Sequence, residues 1–219
     1  MISKQYVFPL FPSQSDDPSL TVKIDVLKFE GEVGLFIQEL LYEGLNPEIY
    51  ADGLAALHKN DYFQSAEEGF SWDWSYDETV KVDVLYSKFI VIDRSKYYYF
   101  GGAHGMYETE YFVIDAKENR RLSIADFIKP DMFGELERLI ENGLRLFVDI
   151  EKDVPLSDGG FFDDFVGISE NFFVNSDGLG FLWNPYEIGP YAMGAIEIVI
   201  PYESLRGIMS DTYSQYFLR

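Results

Sequence analysis

The side chains best suited to chemistry in this sequence are carboxylates, which stand next to each other at three places. These adjacent pairs are Asp16-Asp17, Glu67-Glu68 and Asp163-Asp164. Glycoside hydrolases use two carboxylates that face each other across the scissile bond, so the pairs are compatible with a carboxylate-based hydrolase. The chain has 38 acidic residues, however, and adjacent pairs arise in such a composition without any catalytic role.

Metal, thiol and serine chemistry find little support in the sequence. There is no cysteine, and the two histidines, His58 and His104, are far apart. The HExxH and GxSxG motifs are absent, and Asn175-Ser-Asp177-Gly178 lacks the later ligands of a calcium-binding loop. No phosphate-cradling glycine loop is present either. We therefore expect no catalytic residues of these classes, no metal ion and no organic cofactor.

One histidine follows a glycine pair in a segment of unusual composition. Tyr97-Tyr-Tyr-Phe100 is typical of a half-buried strand, and Gly101-Gly102 then frees the backbone for conformations closed to other residues. The glycines could shape a backbone pocket that presents the His104 imidazole. Alternatively, they form a bulge or tight turn that holds His104 by hydrogen bonds. His58, on a predicted helix beside Lys59, is expected to be a solvated surface residue.

A second segment, Asn184 to Gly194, has a defined course because two prolines and two glycines restrict or direct its backbone. Its tyrosines are typical of interfaces and ligand grooves, although the loop could also pack over a sheet edge. We expect the two segments to approach each other, with His104 bonded to a tyrosine hydroxyl or a carboxylate of the loop. The candidate ligand-binding residues are Gly101, Gly102, His104, Tyr186, Glu187 and Tyr191.

The elements that must position these segments follow from hydrophobic periodicity. Alternating apolar residues predict strands, helical spacing predicts two helices after the first strand and a long helix later, and Asn175 to Gly178 indicates a hairpin turn. Predicted strands lie near residues 20–26, 80–86, 89–92, 97–100, 110–114, 172–174, 179–183 and 196–200. Predicted helices lie near 33–41, 47–60, 123–127, 136–147 and 204–209.

Strands cluster in this order rather than alternating with helices. Clustering favours an α+β fold, an antiparallel sheet with a few packed helices. The length of 219 residues suits two closely associated subdomains. Residues 9–19 are rich in Pro, Ser and Asp, which predicts an N-terminal tether over residues 1–19.

The net charge of −21 excludes several partner classes. Such a surface repels the phosphates of nucleic acids and anionic lipids, so we expect no nucleic-acid partner. It attracts cationic partners, or it serves solubility alone. No apolar run approaches the roughly 20 residues that span a bilayer, and the first residues do not resemble a signal peptide. The protein is therefore either cytoplasmic or exported by a signal absent from this sequence.

Several motifs, taken in order, resemble those of a family of bacterial envelope domains. The family is the RsiV/PdaC type, known as DUF3298 with a DUF4163-like region before it. The motifs are Tyr99-Phe100-Gly101-Gly102-Ala103-His104, Leu122-Ser-Ile-Ala-Asp126-Phe127, Asn171-Phe172 with Asp177-Gly178-Leu179-Gly180-Phe181, Asn184 to Gly194, and Ile200-Pro201-Tyr202. The resemblance implies a DUF4163-like α+β subdomain at residues 20–115 and a DUF3298-like subdomain at 116–219.

The resemblance also implies a compartment and a general role. Family members are mostly exported or anchored in the envelope; RsiV-like proteins capture lysozyme, and PdaC-like proteins carry a separate deacetylase domain. This chain has neither the sigma-binding segment with its membrane helix nor the deacetylase domain, so those activities are not implied. The expected function is a non-catalytic envelope, periplasmic or extracellular binding or sensing domain, with a cationic protein such as lysozyme or an envelope glycan as partner. A hydrolase of envelope glycans and a structural accessory domain remain the alternatives.

Overall fold

The computed structural model describes residues 1–11, 18–70 and 72–218 and confirms the α+β class. None of the helices in these ranges is both long and apolar enough to cross a bilayer. The strands are β1 (Ile2–Pro9), β2 (Ser19–Val26), β3 (Trp74–Leu85), β4 (Phe89–Tyr99), β5 (Met106–Asp115), β6 (Arg120–Arg121), β7 (Phe172–Val174), β8 (Gly178–Trp183) and β9 (Ile196–Pro201). The helices are α1 (Gly31–Tyr42), α2 (Pro47–Glu67), α3 (Ile124–Phe127), α4 (Phe133–Phe147) and α5 (Asp211–Phe217).

The chain forms two compact units that are not contiguous in sequence. The first unit comprises Met1–Lys81 and Asp93–Thr109, and the second comprises Val82–Ile92 and Glu110–Arg219. Strands β3, β4 and β5 therefore contribute residues to both. This division differs from the boundary between residues 115 and 116 expected from the sequence, because the chain leaves the first unit within β3 and returns to it within β4.

In the first unit the strands are ordered β1-β2-β3-β4-β5. β1 and β2 pair antiparallel, whereas β2 and β3 pair in parallel, with Leu20 opposite Trp74. The sheet is therefore mixed. A parallel pair of strands needs a long crossover connection, and the helices α1 and α2 supply it between β2 and β3. α2 packs against β1 and β2.

The start of the expected tether is an edge strand instead. β1 pairs with β2 along its whole length, from Ile2 opposite Val26 to Pro9 opposite Ser19. Its side chains alternate between half-buried and exposed, so it covers one edge of β2 with modest apolar burial. The proline stands at the end of the strand, where the missing N–H is tolerated. Residues 12–17 of the expected tether lie outside the described residues.

The core of the first unit confirms the alternating pattern of β2, in which Leu20, Val22, Ile24 and Val26 are all buried. α2 begins as predicted, with the Asn46 side chain accepting from the Glu48 N–H at 2.8 Å, but it extends to Glu67 rather than to about Asn60. The other buried apolar residues of this unit are Ile37, Leu41, Tyr42, Ala51, Ala55, Tyr62, Tyr76 and Val80.

One carboxylate is buried within the first unit. Glu78 on β3 is 1% exposed. The Tyr76 hydroxyl donates to its Oε2 at 2.6 Å, and the Tyr50 hydroxyl donates to its Oε1 at 3.1 Å. Burial, reinforced by the charge of Glu78, raises the pKa of both tyrosines. The hydroxyls thus remain protonated donors, and the carboxylate is retained in the core because it is hydrogen-bonded.

The second unit contains the end of the β3-β4-β5-β6 sheet and a separate three-stranded sheet. β7, β8 and β9 pair antiparallel, with Phe172 opposite Phe181 and Leu179 opposite Ile200. The predicted hairpin turn between β7 and β8 is confirmed, because the Asn175 side chain accepts from the N–H groups of Asp177 and Gly178 at 2.8 and 2.9 Å. Ser123 and Asp126 form the predicted capping box of α3.

α4 packs directly on β9 through a glycine. A Cβ at Gly143 would lie 2.3 Å from Cγ2 of Ile198, so only glycine permits this helix to approach the strand so closely. The inner face of α4 buries Leu136, Ile140 and Leu144, as the helical spacing predicts. The same hydrophobic core includes Phe89, Val91, Val113, Leu122, Phe127, Phe172, Leu179, Phe181, Trp183, Ile196 and Phe217.

A buried ion pair joins the turn between β3 and β4 to the end of β5. Lys88 Nζ lies 2.6 Å from Asp115 Oδ2, and both side chains are almost fully buried. The same turn is tied by the backbone, since Ala116 N–H donates to the Lys88 carbonyl at 2.8 Å. The ammonium also faces the rings of Phe89, Tyr213 and Tyr216 at 5.4 to 5.8 Å.

The prediction of a closing helix near the C-terminus is wrong in its position along the chain. The closing helix expected near residues 204–209 is only a 3-10 turn over Tyr202–Leu205, and the α-helix is α5, residues 211–217. Gly207, with φ of +92°, interrupts the helical backbone between them. Tyr213 and Phe217 of α5 are buried, which explains why the true helix lies after the glycine.

Candidate functional site

The Gly-Gly-Ala-His segment lies in the turn of residues 100–105 that connects β4 to β5 in the first unit. Gly101 and Gly102 have φ of +89° and +103°, conformations that favour glycine. The Tyr99 hydroxyl donates to the Gly102 carbonyl at 2.9 Å and closes the turn. The His104 side chain is exposed, with Nδ1 3.0 Å from the Gly105 carbonyl oxygen. The turn thus presents an imidazole at its surface and holds it by a local contact.

A cavity of about 440 Å³ lies beside this turn. Three aromatic side chains line it, together with the two glycines of the turn and two polar residues at the end of α2. The lining residues are Ser65, Glu68, Phe70, Trp72, Phe100, Gly101 and Gly102. Phe70 and Trp72 are 56% and 57% exposed, so large apolar rings stand open at this place.

An aromatic stack supports the cavity wall from within the unit. The Phe100 ring lies 4.9 Å from Trp74, 5.2 Å from Tyr98 and 5.3 Å from His58. The expectation of a solvated His58 is wrong, because its ring is half-buried and packs 4.2 Å from Tyr76. Desolvation lowers the pKa of His58, so this histidine is a neutral packing group at neutral pH.

We expect Gly101→Ala to destabilise the protein by about 1–2 kcal/mol, because an L residue is strained at positive φ. Its Cβ would also lie 3.3 Å from Trp72 Cδ1, so the indole must shift. The checks are urea denaturation for stability and tryptophan fluorescence for the environment of Trp72.

Gly102→Ala is the matched control, because Gly102 also has positive φ but a Cβ there would meet nothing within 4 Å. We expect Gly102→Ala to lose similar stability and to leave the tryptophan emission unchanged. Identical emission shifts in both variants would contradict the contact between Gly101 and Trp72.

The segment 184–194 forms an ordered loop in the second unit. Two hydrogen bonds close the turn at its start. The Glu187 N–H donates to the Asn184 carbonyl at 3.1 Å, and the Asn184 N–H donates to Glu187 Oε2 at 2.9 Å. Tyr186 sits in this turn with φ of +72°, and half of its surface is exposed. Its ring lies 5.7 Å from that of Tyr191. The loop therefore has a defined course, as its prolines and glycines predict.

A second cavity, of about 300 Å³, lies between this loop and residues 162–168. The Phe162 N–H donates to the Ile188 carbonyl at 2.9 Å and joins the two segments. Phe162 and Phe165 are 54% and 67% exposed. We call this surface the acidic aromatic face and define it by Phe162, Asp163, Phe165, Trp183, Glu187 and Ile188, which line the cavity.

In each of the two acidic pairs that the structure describes, the two carboxylates have different surroundings. The Ser157 N–H and hydroxyl donate to Asp164 at 3.0 and 2.5 Å, and these hydrogen bonds lower the pKa of Asp164. Asp163, in contrast, lines the second cavity. Glu68 lines the first cavity whereas Glu67 does not. Asp16-Asp17 lies outside the described residues.

The predicted site residues fall in different units. Gly101, Gly102 and His104 belong to the first unit, whereas Tyr186, Glu187 and Tyr191 belong to the second. Gly101, Gly102 and Glu187 line cavities. The approach of His104 to the loop stays a prediction.

Sequence reasoning missed the exposed rings of both cavities. These rings stand in short runs of aromatic residues beside carboxylates, a pattern that does not distinguish an exposed ring from a buried one. These runs are Phe70-Ser-Trp72-Asp-Trp74 and Phe161-Phe-Asp-Asp-Phe165.

A glycosidase acid requires a raised pKa and a second carboxylate that faces it. Burial raises the pKa of Glu197 on β9, but its cross-strand partner is Leu182 and it lines neither cavity. Over residues 1–11, 18–70 and 72–218, no three His, Asp or Glu side chains are grouped to hold a metal ion. What the two cavities offer instead is aromatic surface with a neighbouring negative charge.

Part of the chain is similar to a known protein family. Residues 125–203 match the family described as Protein of unknown function (DUF3298). These residues carry the hairpin and loop motifs that suggested the same family in the sequence. No curated protein sequence matches this chain.

Two solved structures share the fold over nearly the whole chain. A DUF3298 family member from Bacteroides fragilis is similar with a TM-score of 0.81 and 22% identity, over 100% of this chain and 95% of that one. A DUF3298 family protein from Pseudomonas aeruginosa is similar with a TM-score of 0.67 and 18% identity, over 96% of this chain and 94% of that one. At these identities the likeness shows a common fold. Residues 125–203 thus match the family described as Protein of unknown function (DUF3298), and the chain shares the fold of these two proteins.

Proposed function

We propose that this protein is a non-catalytic binding or sensing module of the bacterial cell envelope whose partner is a cationic protein. The observation that carries the proposal is the acidic aromatic face of the second unit. Phe162 and Phe165 are more than half exposed there, and the carboxylates of Asp163 and Glu187 line the same cavity. Aromatic side chains are enriched at the centre of protein interfaces, where a polar rim surrounds them.

The chemistry of this face favours a lysine- or arginine-rich partner. Exposed rings attract cations through their quadrupole, and carboxylates beside them add direct ion pairs. The net charge of −21 supplies a long-range field of the same sign, which steers a basic protein toward this chain and repels polyanions. The resemblance to envelope domains that capture lysozyme points to a partner of this kind.

The face is also suited to hold its shape without a partner. Its two segments are tied by the Phe162 to Ile188 backbone hydrogen bond, and the Asp164 carboxylate fixes the segment that precedes it through Ser157. A preorganised surface loses less conformational entropy on binding.

The test is a titration of lysozyme and of an unrelated basic protein of similar size and charge, each at low and high salt. We expect lysozyme to bind more tightly, and its association rate to fall as salt rises, because charge steering is screened beyond roughly 8 Å at physiological ionic strength. Equal affinity for both proteins would reduce the interaction to diffuse charge attraction and contradict the proposal.

Variants locate the binding on the molecule. We expect Phe165→Ala to weaken lysozyme binding by about tenfold or more, since a central aromatic anchor is typically worth 1–3 kcal/mol or more. Leu146→Ala, which truncates a side chain that is 82% exposed on α4 and lies outside this face, serves as the control and should bind like the parent protein. Circular dichroism confirms that each variant is folded.

A further inference from the structure

The first cavity, beside the Gly101-Gly102 turn, has no role in the proposed function and lies outside the family-matched residues 125–203. Its volume of about 440 Å³ is that of a small-molecule site. Phe70, Trp72 and Phe100 form its apolar walls, and a single carboxylate, that of Glu68, lines it. We propose that this cavity binds a small quaternary ammonium compound.

Two of the walls are packed against other groups of the protein. Trp72 rests against Gly101, where even a methyl group would come within 3.3 Å of its Cδ1. Phe100 is packed between Trp74 and Tyr98, at 4.9 and 5.2 Å between ring centroids. Aromatic cages require such fixed rings, because the attraction between a cation and a ring falls off beyond about 6 Å from the ring centroid.

The chemistry of the lining selects a cation over other small molecules. Aromatic rings present negative charge on their faces, and the Glu68 carboxylate adds a full negative charge. A neutral apolar ligand would gain no electrostatic attraction from the rings or from the carboxylate. An anion would be repelled by both groups and by the net charge of −21. A quaternary ammonium group presents its positive charge through its methyl groups. It therefore packs against the ring faces and is attracted by the carboxylate at the same time.

The same charges indicate a free compound rather than a lipid headgroup. Phosphatidylcholine places a phosphate next to its ammonium group, and a bilayer would bring many such phosphates to a strongly acidic surface. A soluble ligand such as choline presents the ammonium alone. The cavity thus suits a small solute that carries methylated nitrogen and no phosphate.

The experiment is isothermal titration calorimetry of the intact protein with choline and with 3,3-dimethyl-1-butanol, its neutral carbon analogue. We expect choline to bind in the millimolar range or tighter and the neutral analogue to bind at least about tenfold more weakly, since the two differ only in charge. Phosphocholine and phosphatidylcholine vesicles should bind more weakly than choline. Equal binding of choline and the neutral analogue would overturn the proposal, as would tighter binding of phosphocholine or of vesicles.

Two variants assign the binding to this cavity. We expect Trp72→Ala to weaken choline binding by about tenfold, because it removes the most exposed wall. Glu68→Gln should weaken it severalfold, whereas Glu67→Gln, which changes the net charge equally but does not line the cavity, should leave it unchanged. Equal effects of the two Gln variants would show only general charge attraction and would contradict the site. Binding of a neutral oligosaccharide such as diacetylchitobiose, with no binding of choline, would assign the cavity to sugars instead.

Discussion

Lys88→Met is expected to lower the free energy of unfolding by about 3–5 kcal/mol, because it leaves the Asp115 carboxylate buried without its ammonium partner. Asp115 is 0% exposed and Lys88 is 7% exposed. Methionine preserves the contact with the rings around Lys88 while removing the charge. The measurement is urea denaturation at neutral pH, which reports the free energy of unfolding.

The pH dependence of this loss tests the mechanism. Burial alone would raise the pKa of Asp115, but hydrogen bonds from Lys88 and from the N–H groups of Lys117 and Glu118 outweigh it and lower the pKa. Asp115 therefore stabilises the fold above its unfolded pKa of about 3.9, and this contribution is lost as pH falls through the lower folded value. In the variant, desolvation raises the pKa, so that acid neutralises the orphaned carboxylate. The gap between parent and variant should shrink as pH falls.

A double variant separates charge from packing. Lys88→Met with Asp115→Asn removes both charges and keeps an oxygen that accepts from Lys117 and Glu118, as Asp115 Oδ1 does at 3.0 and 3.3 Å. We expect it to recover a large part of the stability lost by Lys88→Met. If the double variant is no more stable than the single one, the loss comes from the lysine's packing on the aromatic rings and not from the uncompensated carboxylate.

Glu78→Ala is expected to cost roughly 2–6 kcal/mol, since it leaves the hydroxyls of Tyr50 and Tyr76 buried without their acceptor at about 1–3 kcal/mol each. Glu78→Gln retains one carbonyl oxygen and serves as the conservative comparison, with a smaller loss. Thermal or urea denaturation measures both.

Tyrosine variants show whether the hydroxyls are the cause. Tyr76→Phe in the Glu78→Ala background removes one orphaned hydroxyl, so the two changes together should cost less than the sum of the separate changes. Strict additivity of Tyr76→Phe and Glu78→Ala would mean that the 2.6 Å hydrogen bond between them contributes nothing to stability.

Local patterns in the sequence predict most of the elements that build this fold. The alternation of Leu20 to Val26, the capped start of α2 at Asn46 and the Asn175 to Gly178 turn are each determined within a few residues, and the structure has all three. The long helix α4 also follows from its apolar stripe, because one face of it must be buried whatever it packs against.

The features that the sequence did not predict depend on distant partners. β1 is a strand only because β2 pairs with it, and the parallel pairing of β2 with β3 depends on where the crossover helices return the chain. The two cavities are harder still to predict from the sequence. Nothing local distinguishes an exposed Trp72 or Phe165 from a buried ring, since exposure is decided by which surfaces remain uncovered after packing.

The two units have a consequence for how this chain should be truncated. The matched segment, 125–203, begins after β6 and ends before α5, yet Phe89, Val91, Val113 and Phe217 belong to the same hydrophobic core as its strands. A fragment cut at the limits of sequence similarity would therefore expose the apolar surfaces those residues cover. The segment that matches the family by sequence is therefore shorter than the segment that shares one hydrophobic core. Truncations intended for expression should preserve residues 82–92 and 110–218, together with residues 93–109 of the first unit, which connect them.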